Sequence, residues 1–294
     1  MSEFEIGSLP IFAPLNLRDL ILVLTIMKEF AQAIDEWIEP DGSGGFVSGT
    51  ISGIRTRRYH SLLAKNNSPT SRTVLVTGFV AKVELGDERC WITSQQSLPD
   101  IVRPTAVAPI IKFESTPWPS WCFKLTDDLL VEQEIFVPRG GSLTVIAWKL
   151  VGRTKERAKL KVRLLFSCRD SNSMQRESND FSFSTYAQGE RFYFTSYQDV
   201  PKVMAQTNAF FFRELVWYRN FLFRDQQAIG QECVEDLVSP GEFGWDLNGS
   251  TAVLALGAEG SAQILLGQCT TEADFARLRA AEFNLRRIEQ VNRF

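Results

Sequence analysis

The chain contains a single histidine, His60, and only five cysteines, too little to build an ordinary metal centre. Cys90, Cys122, Cys168, Cys233 and Cys269 stand far apart, with no C-x-x-C and no Cys/His cluster at zinc spacing. No metal or other cofactor is expected. The thiols read as reduced and mostly buried, as in a cytoplasmic protein. A charge excess is missing as well: 32 Lys and Arg face 35 Asp and Glu, for a net charge of −3. Basic residues are scattered, apart from Arg55/Arg57/Arg58 and the stretch from Lys155 to Arg163, so the footprint of a nucleic-acid binder is lacking. Long apolar runs are absent too. The longest candidate, Leu20 to Met27, is interrupted by Thr25 and falls short of the ~20 residues a membrane span needs. It also lacks the basic flank and small-residue cleavage site of a signal peptide. Neither nucleic acid nor membrane is therefore expected as a partner. The glycines form no phosphate cradle, because Gly42-Ser43-Gly44-Gly45-Phe46-Val47 puts valine where G-x-G-x-x-G needs its third glycine. No Gly-Lys-Ser/Thr occurs for a P-loop, and no G-x-S-x-G accompanies His60.

What the chain does have is the means to build a large core. Its 294 residues are 44% hydrophobic and 23% charged, with 22 Phe and 7 Trp, which are globular proportions. From Phe46 to about Phe194 short alternating segments rich in β-branched and aromatic residues follow one another, cut by turn residues such as Gly86-Asp87 and Gln188-Gly189. Extended segments resume through Met204–Asp225 and again after Ser239. So many strands without intervening helices predict a mainly β protein, a large antiparallel β-sandwich. A short helix is expected after Met27, and a longer one over residues 271–294. Thr271 serves there as N-cap, with Glu272 and Asp274 in the first turn. Its buried stripe is expected to carry Phe275, Leu278, Phe283 or Ala281, Leu285 and Ile288. Residues 27–270 are thus expected to form the β domain. Met27 is a candidate start, which would make residues 1–26 an unstructured or mis-started extension.

Chemistry-bearing residues concentrate between Asp35 and Lys65, where Gly42, Gly44, Gly45, Gly49 and Gly53 accompany Arg57-Arg58-Tyr59-His60. The glycines suit tight corners. Strand alternation would send Arg58 and His60 to one face, Arg57 and Tyr59 to the other. Two readings stay open for His60: a half-buried histidine near a sheet end, or part of a polar loop edge offered to sugar hydroxyls or another domain. Among the acids, Asp127 and Asp128 suit a solvated turn, while Glu235 and Asp236 fit a capping role or a domain interface equally well. Trp37, Trp118, Trp121 and Trp245 lie within three residues of Gly or Pro and are candidate sugar-stacking platforms, although core packing is the commoner fate of tryptophan.

Taken together, EWIEPDGSGGFVSGTISGIRTRRYHSLL, RLLFSCRDSNSM and WYRNF followed by VEDLVSPGEFGWDL resemble the amino-terminal domain of the bacterial and archaeal type of glycogen debranching enzyme. The family pattern maps onto Glu36-Trp37-Ile38, Asp41 to Phe46, Ser48 to Thr50, and an Arg-Arg-Tyr-His-Gly-Leu-Leu strand at Arg57 to Leu63. The resemblance implies a β-supersandwich followed by a separate (α/α)6 barrel, whose two carboxylates hydrolyse α-1,6-linked glucose at glycogen branch points. It therefore assigns no catalytic residue to this chain. It implies an α-glucan (glycogen or maltooligosaccharide) and the barrel, in cis or in trans, as partners. Trp37, Arg57, Arg58, Tyr59, His60, Arg169, Asp170, Glu235 and Asp236 are the candidate substrate- or domain-interface residues. Two departures stand out: Ser61 replaces the usual glycine, and Asn172 stands where a second histidine belongs. A free-standing α-glucan-binding module and a structural partner of a separately encoded barrel are the alternatives, the latter with an exposed apolar patch near Phe210 to Phe212 and the terminal helix.

Overall fold

A computed structural model describes residues 36–291, apart from 43–44, 69–70, 140–142, 179–181, 190, 198 and 261–270. The expected extension over 1–26 and the helix after Met27 lie outside the described residues. The first half of the chain forms β1 (Glu36–Pro40), β2 (Phe46–Thr50), β3 (Leu63–Ser68), β4 (Ser71–Leu85), β5 (Glu88–Trp91), β6 (Gln95–Ser97), β7 (Ile101–Arg103), β8 (Ile110–Glu114), β9 (Ser120–Lys124) and β10 (Leu129–Phe136). The second half adds β11 (Leu143–Gly152), β12 (Ala158–Asp170), β13 (Ser184–Gln188), β14 (Arg191–Thr195), β15 (Val203–Thr207), β16 (Phe210–Leu222), the short α1 (Arg224–Ala228), β17 (Val234–Asp246), β18 (Ala252–Ala258) and α2 (Glu272–Val291).

Two eight-stranded antiparallel sheets result. One runs β3-β4-β12-β17-β16-β6-β7, with β5 added on β4; the other runs β13-β14-β15-β18-β11-β10-β9-β8. Alternation along β4 explains why they stack. Phe79, Ala81, Val83 and Leu85 turn inward, while Val80, Lys82 and Glu84 face out. The inner faces meet in an aromatic core where Phe79 of one sheet stands edge-on to Trp148 of the other, their centroids 5.5 Å apart. Phe243 of β17 likewise meets Phe192 and Phe194 of β14. The expected β-sandwich is what the chain forms.

Trp37, Trp118, Trp121 and Trp245 are all buried, between 1% and 6% exposed, so none is a surface platform for sugar. Their N–H groups find acceptors inside: Trp37 on the Thr50 carbonyl, Trp121 on that of Ile51 and Trp245 on Asn208. Among the described cysteines only Cys168 is buried; Cys90, Cys122 and Cys233 are half-buried free thiols. The expectation of mostly buried thiols is corrected accordingly, since Cys122 lies on the outward face of β9.

Helix α2 starts as expected, with Thr271 Oγ1 accepting the Asp274 amide while the Asp274 carboxylate accepts the Thr271 amide, a capping box. Its buried face departs from the expected stripe. Phe275 enters an apolar cluster on the outer side of the second sheet with Trp118, Phe136 and Val145, and Leu278 packs against its edge. The next buried positions are Glu282 and Arg286, while Phe283, Leu285 and Ile288 stay exposed. The reason is electrostatic. Buried Glu39 of β1 needs a counter-charge and the carbonyls of Pro117 and Val137 need donors, and Arg286 reaches all three. Exposed apolar side chains do remain on α2, and Phe210 and Phe212 are 86% and 66% exposed on β16.

Candidate functional site

The glycine-rich corner is built by Asp41. Its Oδ1 accepts the Gly45 amide at 2.8 Å, and its own amide donates to the Gly45 carbonyl at 2.9 Å. Any Cβ on residue 45 would fall 2.2 Å from the Asp41 carboxylate, and Gly42 has φ +76°, so both positions need glycine. This corner closes the β1–β2 hairpin and leaves Glu36, at the start of β1, facing the Arg57–His60 turn.

Arg57–His60 is a turn rather than a strand, with the His60 amide donating to the Arg57 carbonyl at 3.2 Å. The expected alternation therefore fails, and β3 begins only at Leu63. Arg57, Tyr59 and His60 all converge on Glu36, whereas Arg58 turns away. Arg57 Nε donates to Glu36 Oε1 at 2.5 Å and Tyr59 donates to Oε2 at 2.9 Å. His60 Nε2 lies 3.3 Å from Oε1, close enough for a charge interaction but outside hydrogen-bond geometry. Burial raises the Glu36 carboxyl, yet the bonds from Arg57 and Tyr59 outweigh it and hold the group below its ordinary range.

His60 is buried, and its Nδ1 accepts the amides of Thr56 and Arg57 at 3.3 and 3.4 Å. Its proton therefore sits on Nε2. Burial drives the imidazole from 6.5 down to about 4, although Glu36 pulls the other way. Because the folded value is depressed, this histidine contributes stability above pH 6.5 that is lost as pH falls towards 4, on the order of 3 kcal/mol in all. Urea unfolding at pH 7 and pH 4 should show the wild-type chain losing more stability than His60→Gln by about that amount. Equal losses would sink this assignment.

Arg58 joins the second block, donating from Nη1 to the Asn172 carbonyl at 3.3 Å. Arg169 donates from Nη2 to the Arg58 carbonyl at 2.9 Å and closes a bidentate ion pair on Glu235, whose second oxygen it reaches at 3.3 Å. That pair is buried, with Glu235 at 0% exposure. Glu235 is thus an interior counter-ion and not a surface contact. Asp236 accepts the amides of Asn220 and Glu177 at 2.8 and 3.1 Å. Exposed Asp170 caps its own turn through the Asn172 amide at 2.8 Å.

Two irregularities aim these groups. The pairing of β12 slips around Phe166–Arg169 and that of β16 between Tyr218 and Phe221, and each slip holds a non-glycine residue in the left-handed region: Cys168 at φ 55° and Asn220 at φ 62°. Such bulges bend a strand and redirect its side chains, here bringing Arg169 and Asn220 towards Glu235 and Asp236. Of the sequence-derived candidates, only Trp37 stays apart, in the core beside Trp121. Two participants went unnamed among them. Glu36 was present in the first block as an acid beside Trp37. Arg55 is buried, bonded to Thr77 and Gln95 and stacked over Phe221 at 4.7 Å, and burial lowers its guanidinium to about 10. Of the departures, buried Ser61 is accommodated by Arg72 Nη2 at 3.3 Å, and Asn172 is exposed and contributes its backbone.

A family model, "Glycogen debranching enzyme N terminal", matches residues 35–254, the span from the start of β1 into β18, and so includes every residue of this cluster. The chain belongs to that family. Among solved structures the debranching-enzyme N-terminal domain is similar to a bacterial glucoamylase complexed with acarbose, at 11% identity and a TM-score of 0.42. The match covers 85% of this chain and 37% of the glucoamylase chain. No curated protein matches the chain. No helix among the described residues is long and apolar enough to cross a membrane.

Proposed function

We propose that this chain is the accessory, glucan-side domain of a cytoplasmic glycogen debranching enzyme. It carries no catalytic acid and assists an (α/α)6 barrel, in cis or in trans, that hydrolyses α-1,6-linked glucose. The β domain, residues 27–270, presents the Arg57–Tyr59 turn and the Asp170–Ser173 turn to the barrel or the glucan, and 271–294 leads towards the barrel. The family match over residues 35–254 supports the debranching assignment, and one observation carries its non-catalytic part: the carboxylates of the motif cluster are already spent. Glu36 holds Arg57 and Tyr59, Glu235 is sealed against Arg169, and Asp236 and Asp170 accept backbone amides. Glycoside hydrolysis needs two carboxyl groups facing one sugar, one of them able to donate a proton.

The test is to incubate the purified full chain with a branched limit dextrin and with glycogen. Co-sedimentation with glycogen without release of glucose is the expected result. Glucose release by this chain alone would overturn the accessory assignment. The intact mass of the native protein captured from its own cells separates the arrangements: a value near 33.3 kDa means the domain works alone or with a barrel in trans, and one roughly double means the barrel is fused.

A further inference from the structure

Strand β13 is the edge of the second sheet, and it carries a ring that the core does not use. Tyr186 pairs across the ladder with Tyr193, and their rings are stacked 4.8 Å apart with only 7° between the planes. Tyr193 in turn sits beside Met204 of β15 and packs against the apolar cluster under α2, so the lower ring of the stack is anchored. Tyr186 remains 46% exposed. Because stacked cross-strand rings stand side by side along the pairing direction, the free face of Tyr186 looks past the sheet edge, where no described strand lies.

The surroundings select the ligand class. Period two places Ser184 and Gln188 on the same face of β13 as Tyr186, both exposed, one on each side of the ring. Arg191, which pairs with Gln188 across the ladder, has its Nε on Gln206 at 3.1 Å, which holds it back over β15. An aromatic plate flanked by a hydroxyl and an amide suits a flat, uncharged molecule with polar edges. A pyranose in the chair form fits: its axial C–H face packs on the ring while its equatorial hydroxyls reach Ser184, Gln188 and the unpaired backbone groups of the edge strand.

We propose that Tyr186 on its Tyr193 base is a stacking subsite for a glucosyl residue of an α-glucan. The proposal rests on the reading of this chain as a glucan-side domain. The test is calorimetric titration of the full chain with maltoheptaose, comparing wild type with Tyr186→Thr, which keeps strand propensity and removes the ring, and Tyr186→Phe, which keeps the ring. Expected are about tenfold weaker binding by Tyr186→Thr, the scale of one aromatic contact, and affinity within about twofold of wild type for Tyr186→Phe. Far-ultraviolet dichroism like the wild type's would show that the loss is not unfolding. If wild type binds and Tyr186→Thr binds equally well, the subsite is overturned and glucan association stands. If wild type binds neither maltoheptaose nor glycogen, both fall.

Discussion

Glu235→Ala should cost the fold about 3–5 kcal/mol, the range for removing one partner of a buried ion pair. Glu235 is 0% exposed and its two oxygens hold the Arg169 guanidinium and the Gln175 amide. Arg55, also buried, draws part of its compensation from the same carboxylate. Removing the acid therefore leaves two interior cations without their shared counter-charge and one amide without an acceptor, and water cannot reach any of them. Urea denaturation reads this as a lower midpoint at unchanged slope. The double replacement Arg169→Met with Glu235→Leu should recover only part of the loss, because it removes the paired charges but leaves Arg55 without its counter-charge and the Gln175 amide without its acceptor. A loss below about 1 kcal/mol for Glu235→Ala would mean the pair is not sealed from solvent.

Arg286→Ala is expected to release α2 while the sheets stay folded. The side chain is buried and bonds Glu39, Glu282 at 2.7 Å, the Pro117 carbonyl at 2.6 Å and the Val137 carbonyl at 3.0 Å, with its guanidinium 5.3 Å from the Trp118 ring centroid. Without it two buried carboxyl groups lose their counter-charge and keep one backbone amide each, that of Val137 on Glu39 and that of Arg139 on Glu282. Burial already pushes Glu39 above its ordinary value, with Arg286 opposing that rise. The helix has little apolar hold to offset this, since Phe275 and Leu278 are its contributions to the cluster beneath it. The cost, about 3–5 kcal/mol, exceeds what such a short apolar contact supplies. Hydrogen exchange should show amides of 272–291 losing protection while those of β4 and β12 keep theirs. Unchanged protection of α2 would show that its other polar contacts, Arg279 on Glu134 through Nε and Nη2 and Arg139 on Glu282 and Glu289, suffice to hold it.

Much of the architecture was legible because sheet burial is a local rule. Phe79, Ala81, Val83 and Leu85 alternate with Val80, Lys82 and Glu84, and that pattern alone names a strand and its inward face. Thr271 and Asp274 announce a helix start in the same local way. The stripe of α2 was not legible, because the helix wheel ranks Leu285 and Ile288 above Arg286, and only the presence of Glu39 on a distant hairpin reverses that order. The Arg57–His60 turn was misread as a strand for a related reason. The Thr56 and Arg57 amides bond His60 Nδ1, a satisfaction of backbone groups that alternation does not describe. The surface role imagined for Trp37 and its fellows gave way to burial, where each indole found an acceptor.

By itself the sequence determined the antiparallel β class, the capped helix near its end and the debranching-enzyme family, because periodicity, turn residues and motif order are properties of neighbours along the chain. Only the tertiary structure decided that Arg169 meets Glu235, that Glu36 gathers Arg57, Tyr59 and His60, and that Tyr186 stacks on Tyr193 at an open edge. Those meetings depend on strand register and on two bulges, and their energies depend on how far water is excluded, which no stretch of sequence records.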